Sequence, residues 1–167
     1  MSIKLIITDI DGVWTDGGMY YADNGIETKK FNTSDSVGVL LAAAAHINVA
    51  VMTGEDVPCV RNRIKKLNIE HAHFGVRNKL LLVEQLIERE KISFEQIAFI
   101  GDEINDHPLL HKVGFSACPQ SAPWYTKEIV DFIVPTNGGM GAFRDFVIEV
   151  LKREGTFEET FKHVTKG

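Results

Sequence analysis

Apolar and polar positions alternate in blocks along this chain. Short apolar runs recur at residues 3–8, 48–52, 70–74, 96–100, 114–117 and 131–134. Between them lie stretches with apolar residues at helical spacing, over 35–46, 56–67, 78–90, 105–112, 122–129 and 140–153. Strands that alternate with helices predict βαβ units, a parallel sheet and right-handed crossovers. The expected architecture is α/β: a Rossmann-like parallel sheet with helices on both faces. No internal repeat or low-complexity segment interrupts the pattern.

Two segments depart from the alternation. Residues 17–31 read as a β-hairpin, with Asn24-Gly25 as the turn signal. An isolated two-stranded hairpin is marginally stable in water, so this one needs a surface to pack against. A second copy of the chain is the expected partner. The C-terminal tail, 154–167, carries Phe157, Phe161 and Val164 at helical spacing. It is read as docking onto its own core, with a partner-binding helix as the alternative.

Length and composition restrict the possibilities. The 167 residues suit one domain spanning 1–167, hairpin and tail included. A hydrophobic fraction of 44% and a charged fraction of 25% are ordinary for a soluble globular chain. A net charge of -5 without a basic stripe argues against nucleic acid as a partner, though not against a small anion in a local field. No apolar run approaches membrane-spanning length, so no membrane partner is expected. Cys59 and Cys118 have no paired spacing and read as free thiols. The chain opens directly into a strand without a signal-like segment, and the expected location is cytoplasmic.

The first apolar run ends in Asp9-Ile10-Asp11-Gly12. Alone, this string also suits a turn with Asp9 as a helix cap. Three further strings follow later strands or start a helix: Thr53-Gly54-Glu55, Lys79, and Gly101-Asp102-Glu103-Ile104-Asn105-Asp106. In a doubly wound sheet all four converge on the rim formed by the carboxyl ends of the strands, where ligands bind. A carboxylate that attacks a phosphate monoester meets repulsion on the order of 8 kcal/mol, for one charge against two at ~4 Å and an effective dielectric of ~20. A divalent cation and a lysine offset that repulsion, while a hydroxyl and backbone N–H groups hold the phosphoryl oxygens. Asp9 and Asp102 are oxygen ligands suited to Mg²⁺. Thr53 is the phosphate donor, Lys79 the compensating cation, and Asp11 is placed to act as acid and then base.

These motifs resemble those of the haloacid dehalogenase superfamily of phosphatases, and the resemblance spans nearly the whole chain. It implies that Asp9 is the nucleophile, that Asp11 is the acid/base with its backbone carbonyl on the metal, and that Asp102 is the remaining carboxylate ligand. Neither gap that usually holds a cap domain has room for one here, and the hairpin stands where a cap would begin. The chain is therefore similar to the capless branch, the 3-deoxy-manno-octulosonate 8-phosphate phosphatases and their relatives. That likeness implies a homotetramer in which a neighbour's hairpin and C-terminal residues close each site. The strings Asp11-Gly12-Val13-Trp14-Thr15-Asp16-Gly17 and Gly138-Gly139-Met140-Gly141-Ala142-Phe143-Arg144 resemble that branch's own signatures.

Glu55 departs from this pattern, since the octulosonate phosphatases usually have Arg there. The change resembles the sister enzymes that act on 2-keto-3-deoxy-nononate 9-phosphate, whose Glu works with an Arg and a Lys on the following helix. Arg63 and Lys66 stand at the matching offsets. The resemblance thus favours the nine-carbon sugar acid, with the eight-carbon ester as the alternative. Gly54, Glu55, Arg63, Lys66, Asn105 and Asp106 are the expected substrate-side residues. A receiver-type signalling domain is the distant rival, and it lacks an acid at the position of Asp11. His71, His73 and His107 read as strand-end or surface residues, Ser34 or Asp35 as a helix cap, and Trp14 and Trp124 as packing or rim residues.

Overall fold

The computed structural model describes residues 2–166. Six parallel strands form one sheet: β1 (Leu5–Thr8), β4 (Asn48–Met52), β5 (His71–His73), β6 (Ile97–Ile100), β7 (Phe115–Pro119) and β8 (Phe132–Val134). Their spatial order is β5-β4-β1-β6-β7-β8. The chain runs outward from β1 to β5, then crosses back to place β6 on the other side of β1. β1 and β6 pair in register from Leu5↔Ile97 to Thr8↔Ile100, so their carboxyl ends adjoin where the winding reverses. Both strands are buried along their whole length, as expected of continuous apolar runs covered on two faces. The two edge strands are the shortest of the six, with three residues each.

Helices cover both faces. On one side α1 (Asp35–Ala44), α2 (Pro58–Lys66) and α6 (Ala142–Arg153) bury Leu41, Val60, Ile64, Phe146 and Val150 against Ile6 and Ile10. On the other, α3 (Lys79–Glu90) and α4 (His107–Leu110) bury Val83, Leu86 and Leu109 against Ile7 and Phe99. The final helix, α7 (Phe157–Lys166), packs on α1 and α6, with Phe157 and Val164 against the first core. Phe161 remains 48% exposed, so the tail docks on its own chain with one aromatic ring left outside.

Several boundaries differ from the sequence pattern, each for a local reason. Residues 105–112 form a 3-10 turn, Ile104–Asp106, before the short α4, because the Asp106 carboxylate is turned back onto backbone N–H groups. The predicted helix over 122–129 shrinks to α5 (Trp124–Lys127) behind Pro123. The hairpin strands, β2 (Tyr20–Tyr21) and β3 (Glu27–Thr28), are only two residues long. Their turn centres on Asp23-Asn24: Gly25 N–H donates to the Ala22 carbonyl at 2.9 Å, and Gly25 takes the left-handed position at φ 79°. Ser34 occupies the N-cap of α1, but its side chain makes no capping bond, and Asp35 turns inward instead.

Trp14 lies in the core as a packing residue. Its ring sits 4.8 Å from that of Phe143 and its Nε1 donates to Thr8 Oγ1 at 3.0 Å. Trp124 is 69% exposed. No helix of the described residues is long and apolar enough to cross a membrane.

Asp35 is buried at the α1–α6 contact. Its Oδ1 accepts the Arg144 backbone N–H at 3.3 Å, and its Oδ2 has no partner. Burial pushes its carboxyl from the ordinary 3.8 to about 6, against the Arg144 N–H and the charges of Arg144 and Arg63. A carboxyl that holds its proton more tightly when folded stabilises the fold below its unfolded pKa, and this contribution is lost as pH rises through the folded value. Asp35→Asn keeps the acceptor and removes the buried charge. It should raise stability by about 1–2 kcal/mol at pH 8 and by almost nothing at pH 4, as measured by denaturant unfolding at the two pH values.

Candidate active site

The loop after β1 is wound tightly by its own backbone. The N–H groups of Val13, Trp14 and Thr15 all donate to the Ile10 carbonyl, at 3.2, 2.8 and 3.2 Å. This turn sets Asp9 at the strand end and Asp11 beside it. Gly12 passes so close to Asp102 that a Cβ there would lie 1.8 Å from Asp102 Oδ2, and its φ of 76° is one that other residues rarely adopt. Gly138 packs against the same loop: its Cβ would fall 1.8 Å from the Gly12 carbonyl oxygen. This close approach accounts for Gly138, and Gly139 packs closely on the Thr15–Asp16 backbone.

Lys79 is the first residue of α3, whose N-cap Asn78 accepts the Leu81 N–H through its side chain at 3.1 Å. The helix start directs Lys79 under the sheet rim, where it is buried. Its Nζ lies 2.7 Å from Asp9 Oδ2 and 2.5 Å from Asp106 Oδ1. Burial works to lower the Lys79 pKa, but Asp9 and Asp106 outweigh it and hold the ammonium above its ordinary value. The second oxygen of Asp106 accepts the backbone N–H of Asp102 at 3.0 Å and of Glu103 at 3.4 Å. Asp106 therefore fixes both the lysine and the loop that carries Asp102.

Asp9, Asp102 and Asp106 each offer an oxygen within 4.8 Å of the others. Asp106 is already committed to Lys79 and to two amides. Asp9 accepts one backbone N–H, from Ile10 at 2.7 Å, besides its contact with Lys79. Asp102 has no side-chain hydrogen-bond donor among the described residues. Burial, reinforced by Asp106 and opposed by Lys79, pushes Asp9 up to about 7. Burial, then the charges of Asp9 and Asp106, push Asp102 up to about 8. Two adjacent carboxyls that share one ammonium fit a divalent cation, which Asp9 and Asp102 could hold as carboxylate ligands.

Asp9, Asp11, Thr53, Gly54, Glu55, Asp102 and Asn105 line one open cavity of about 310 Å³, with Gly12, Gly17 and Glu103. Thr53 follows β4 directly, and its Oγ1 accepts the Glu55 N–H at 3.3 Å. Lys79 and Asp106 sit buried behind this cavity. Arg63 and Lys66 do not line it: Arg63 Nη2 donates to the Asn32 carbonyl at 3.1 Å, and Lys66 is exposed. His107 Nε2 lies 3.0 Å from Thr126 Oγ1, a structural contact. His71 lines a cavity of about 320 Å³ with Lys4, Arg89 and Lys91. Arg89 and Lys91 stand at the end of α3, where positive charge complements helix carbonyls.

Lys29 was not singled out by the motif pattern. It follows β3, and its Nζ lies 2.6 Å from Asp11 Oδ1 and 3.2 Å from Glu27 Oε1. The available signal was Glu27-Thr28-Lys29, two charges on the same side of a strand. Glu103 belongs to the acidic string 101–106, where the sequence pattern assigns it no role of its own. It accepts the Tyr125 hydroxyl at 2.6 Å and the Ile104 N–H at 2.8 Å, which stiffens the cavity rim.

Residues 53–144 match the model of the haloacid dehalogenase-like hydrolase family. The 3-deoxy-D-manno-octulosonate 8-phosphate phosphatase of Haemophilus influenzae is 38% identical over 154 residues, covering 92% of this chain and 86% of that protein. The same-named enzyme of Moraxella catarrhalis, solved with magnesium, phosphate and KDO, superposes with a TM-score of 0.92 at 30% identity, over 97% of this chain and 93% of that one. The cobalt-bound Haemophilus influenzae structure gives a TM-score of 0.88 at 36% identity, over 96% of both chains. With six parallel strands in this order, the acids gathered at their shared rim and these relatives, the chain belongs to the haloacid dehalogenase-like hydrolases.

Proposed function

We propose that this chain is a Mg²⁺-dependent phosphatase that removes the terminal phosphate of a 2-keto-3-deoxy sugar acid, 3-deoxy-manno-octulosonate 8-phosphate. The observation that carries the reading is the seating of Lys79 between Asp9 and Asp106, while Asp102 faces Asp9 without a donor. The relatives' substrate supports the eight-carbon ester. A nine-carbon nononate ester is the second reading, supported by Glu55 at the cavity. It has the weaker support, because Arg63 and Lys66 lie away from that cavity. The outer face of the hairpin exposes Met19, Tyr20, Tyr21 and Ile26, an apolar surface that supports self-association as a homotetramer.

The chemistry proceeds in two displacements. Asp9 attacks phosphorus and forms an aspartyl-phosphate as the ester P–O bond breaks, and Asp11 gives its proton to the departing alkoxide. Water then attacks the same phosphorus, its proton passes to Asp11, and Asp9 leaves as a free carboxylate. Thr53 Oγ1 and the backbone N–H of Asp11, which has no acceptor among the described residues, hold phosphoryl oxygens, and Lys79 offsets the charge of Asp9. Asp9, Asp102 and the Asp11 backbone carbonyl would hold Mg²⁺, which would neutralise charge on the phosphoryl oxygens.

Three measurements test this reading. Phosphate release from the two sugar-acid esters should show kcat/KM about tenfold higher for the eight-carbon one; the opposite ranking would reassign the substrate. Asp9→Asn should lower kcat by at least about a thousandfold while circular dichroism stays unchanged. Protonated carboxyls bind no cation, and both ligand carboxyls are pushed up to about 7 and about 8. The rise in Tm from a fixed Mg²⁺ concentration should therefore grow between pH 6 and pH 8 and disappear in Asp102→Asn.

A further inference from the structure

Two lysines follow β3, and they behave differently. The Lys30 side chain is 61% exposed, whereas that of Lys29 is 1% exposed and reaches into the site. An ammonium is buried at tolerable cost only where anions and hydrogen-bond acceptors compensate it. For Lys29 these are Asp11 Oδ1 at 2.6 Å and Glu27 Oε1 at 3.2 Å. The contact with Asp11 has hydrogen-bond geometry; the contact with Glu27 is an ion pair without it. Glu27 thus steadies the lysine from its own strand, and Asp11 receives the directed bond.

Asp11 has little else to hold it. Thr15 Oγ1 reaches the same Oδ1 at a long 3.4 Å, and Oδ2 has no protein donor among the described residues. Asp11 sits on a loop at the cavity, where an unrestrained carboxylate samples several rotamers. We propose that Lys29 is a positioning residue that grips Asp11 through Oδ1, so that Oδ2 is the oxygen presented first to the leaving group and then to water. This rests on the phosphatase reading above. In the first displacement the Asp9–phosphorus bond forms, the ester P–O bond breaks, and the proton on Asp11 Oδ2 moves to the alkoxide. In the second, the water–phosphorus bond forms, the Asp9–phosphorus bond breaks, and a water proton returns to Oδ2. One oxygen must be in place twice per turnover, and the hairpin supplies the group that keeps it there.

The test compares Lys29→Met and Lys29→Arg with the unaltered protein in Mg²⁺, on two esters. The sugar-acid phosphate has an alkoxide leaving group that needs a proton; p-nitrophenyl phosphate releases a phenolate that does not. Lys29→Met should slow single-turnover cleavage of the sugar-acid ester by about tenfold to a hundredfold, with KM within about twofold. First-turnover release of p-nitrophenolate should fall by less than about threefold, with slower turnovers after it because water activation still needs Asp11. Lys29→Arg should recover part of the loss on the sugar-acid ester. Equal losses on both esters, or none on the sugar-acid ester, overturn the proposal. Should the methionine variant lose its cooperative melt, the arginine variant decides: the same asymmetry supports the proposal and symmetric loss overturns it. An unaltered protein that cleaves neither ester overturns the phosphatase reading itself, an outcome distinct from those of the variants.

Discussion

Like-charge repulsion governs the functional end of this protein, and the buried Lys79 ammonium is what makes it tolerable. Asp9, Asp102 and Asp106 crowd within 4.8 Å of one another, Asp9 and Asp106 buried and Asp102 half-buried at the cavity. Two carboxylates ~4 Å apart at an effective dielectric of ~20 repel by about 4 kcal/mol, so without a cation there the three acids could stay ionised together only at a cost comparable with the stability of a domain this size. Lys79 lies between two of the three, and Asp106 passes the constraint on by accepting the amides of the 102–103 loop. The third acid's side chain accepts no hydrogen bond among the described residues, and that asymmetry leaves room for a cation beside it. Topology brings this about: α3, on the return crossover from β5 to β6, starts beneath the carboxyl end of β1.

Backbone clearance matters as much as charge. The loop after β1, the Asp102 carboxylate and the loop at 138–141 stack with no room for a Cβ at Gly12 or Gly138. This nesting also buries Trp14 against Phe143, so the first core continues up to the floor of the site. Packing and chemistry share the same few residues, and a change made for one is felt by the other.

The layout of the sheet was legible in the sequence because buried parallel strands are written as short apolar runs separated by helical periodicity. The four motif strings were legible for a related reason: each ends a strand or begins a helix, where the topology alone brings it to the shared rim. The elements that shrank, α4 and α5, are shaped by Asp106 turning back on the backbone and by Pro123, and neither influence is periodic. Arg63 had the right helix face, but its orientation follows the Asn32 carbonyl, a neighbour thirty-one residues away. Lys29 was hidden because in a list of residues a buried lysine and a solvated one look alike. Only the fold of the hairpin separates it from Lys30.

The brevity of β5 and β8 has a further consequence. Each edge of the sheet ends in three residues, so a foreign strand finds little free backbone to pair with and slow cross-β growth has a poor template. The protein can therefore expose tyrosines and a methionine on a protruding hairpin without also offering a long flat border to its neighbours.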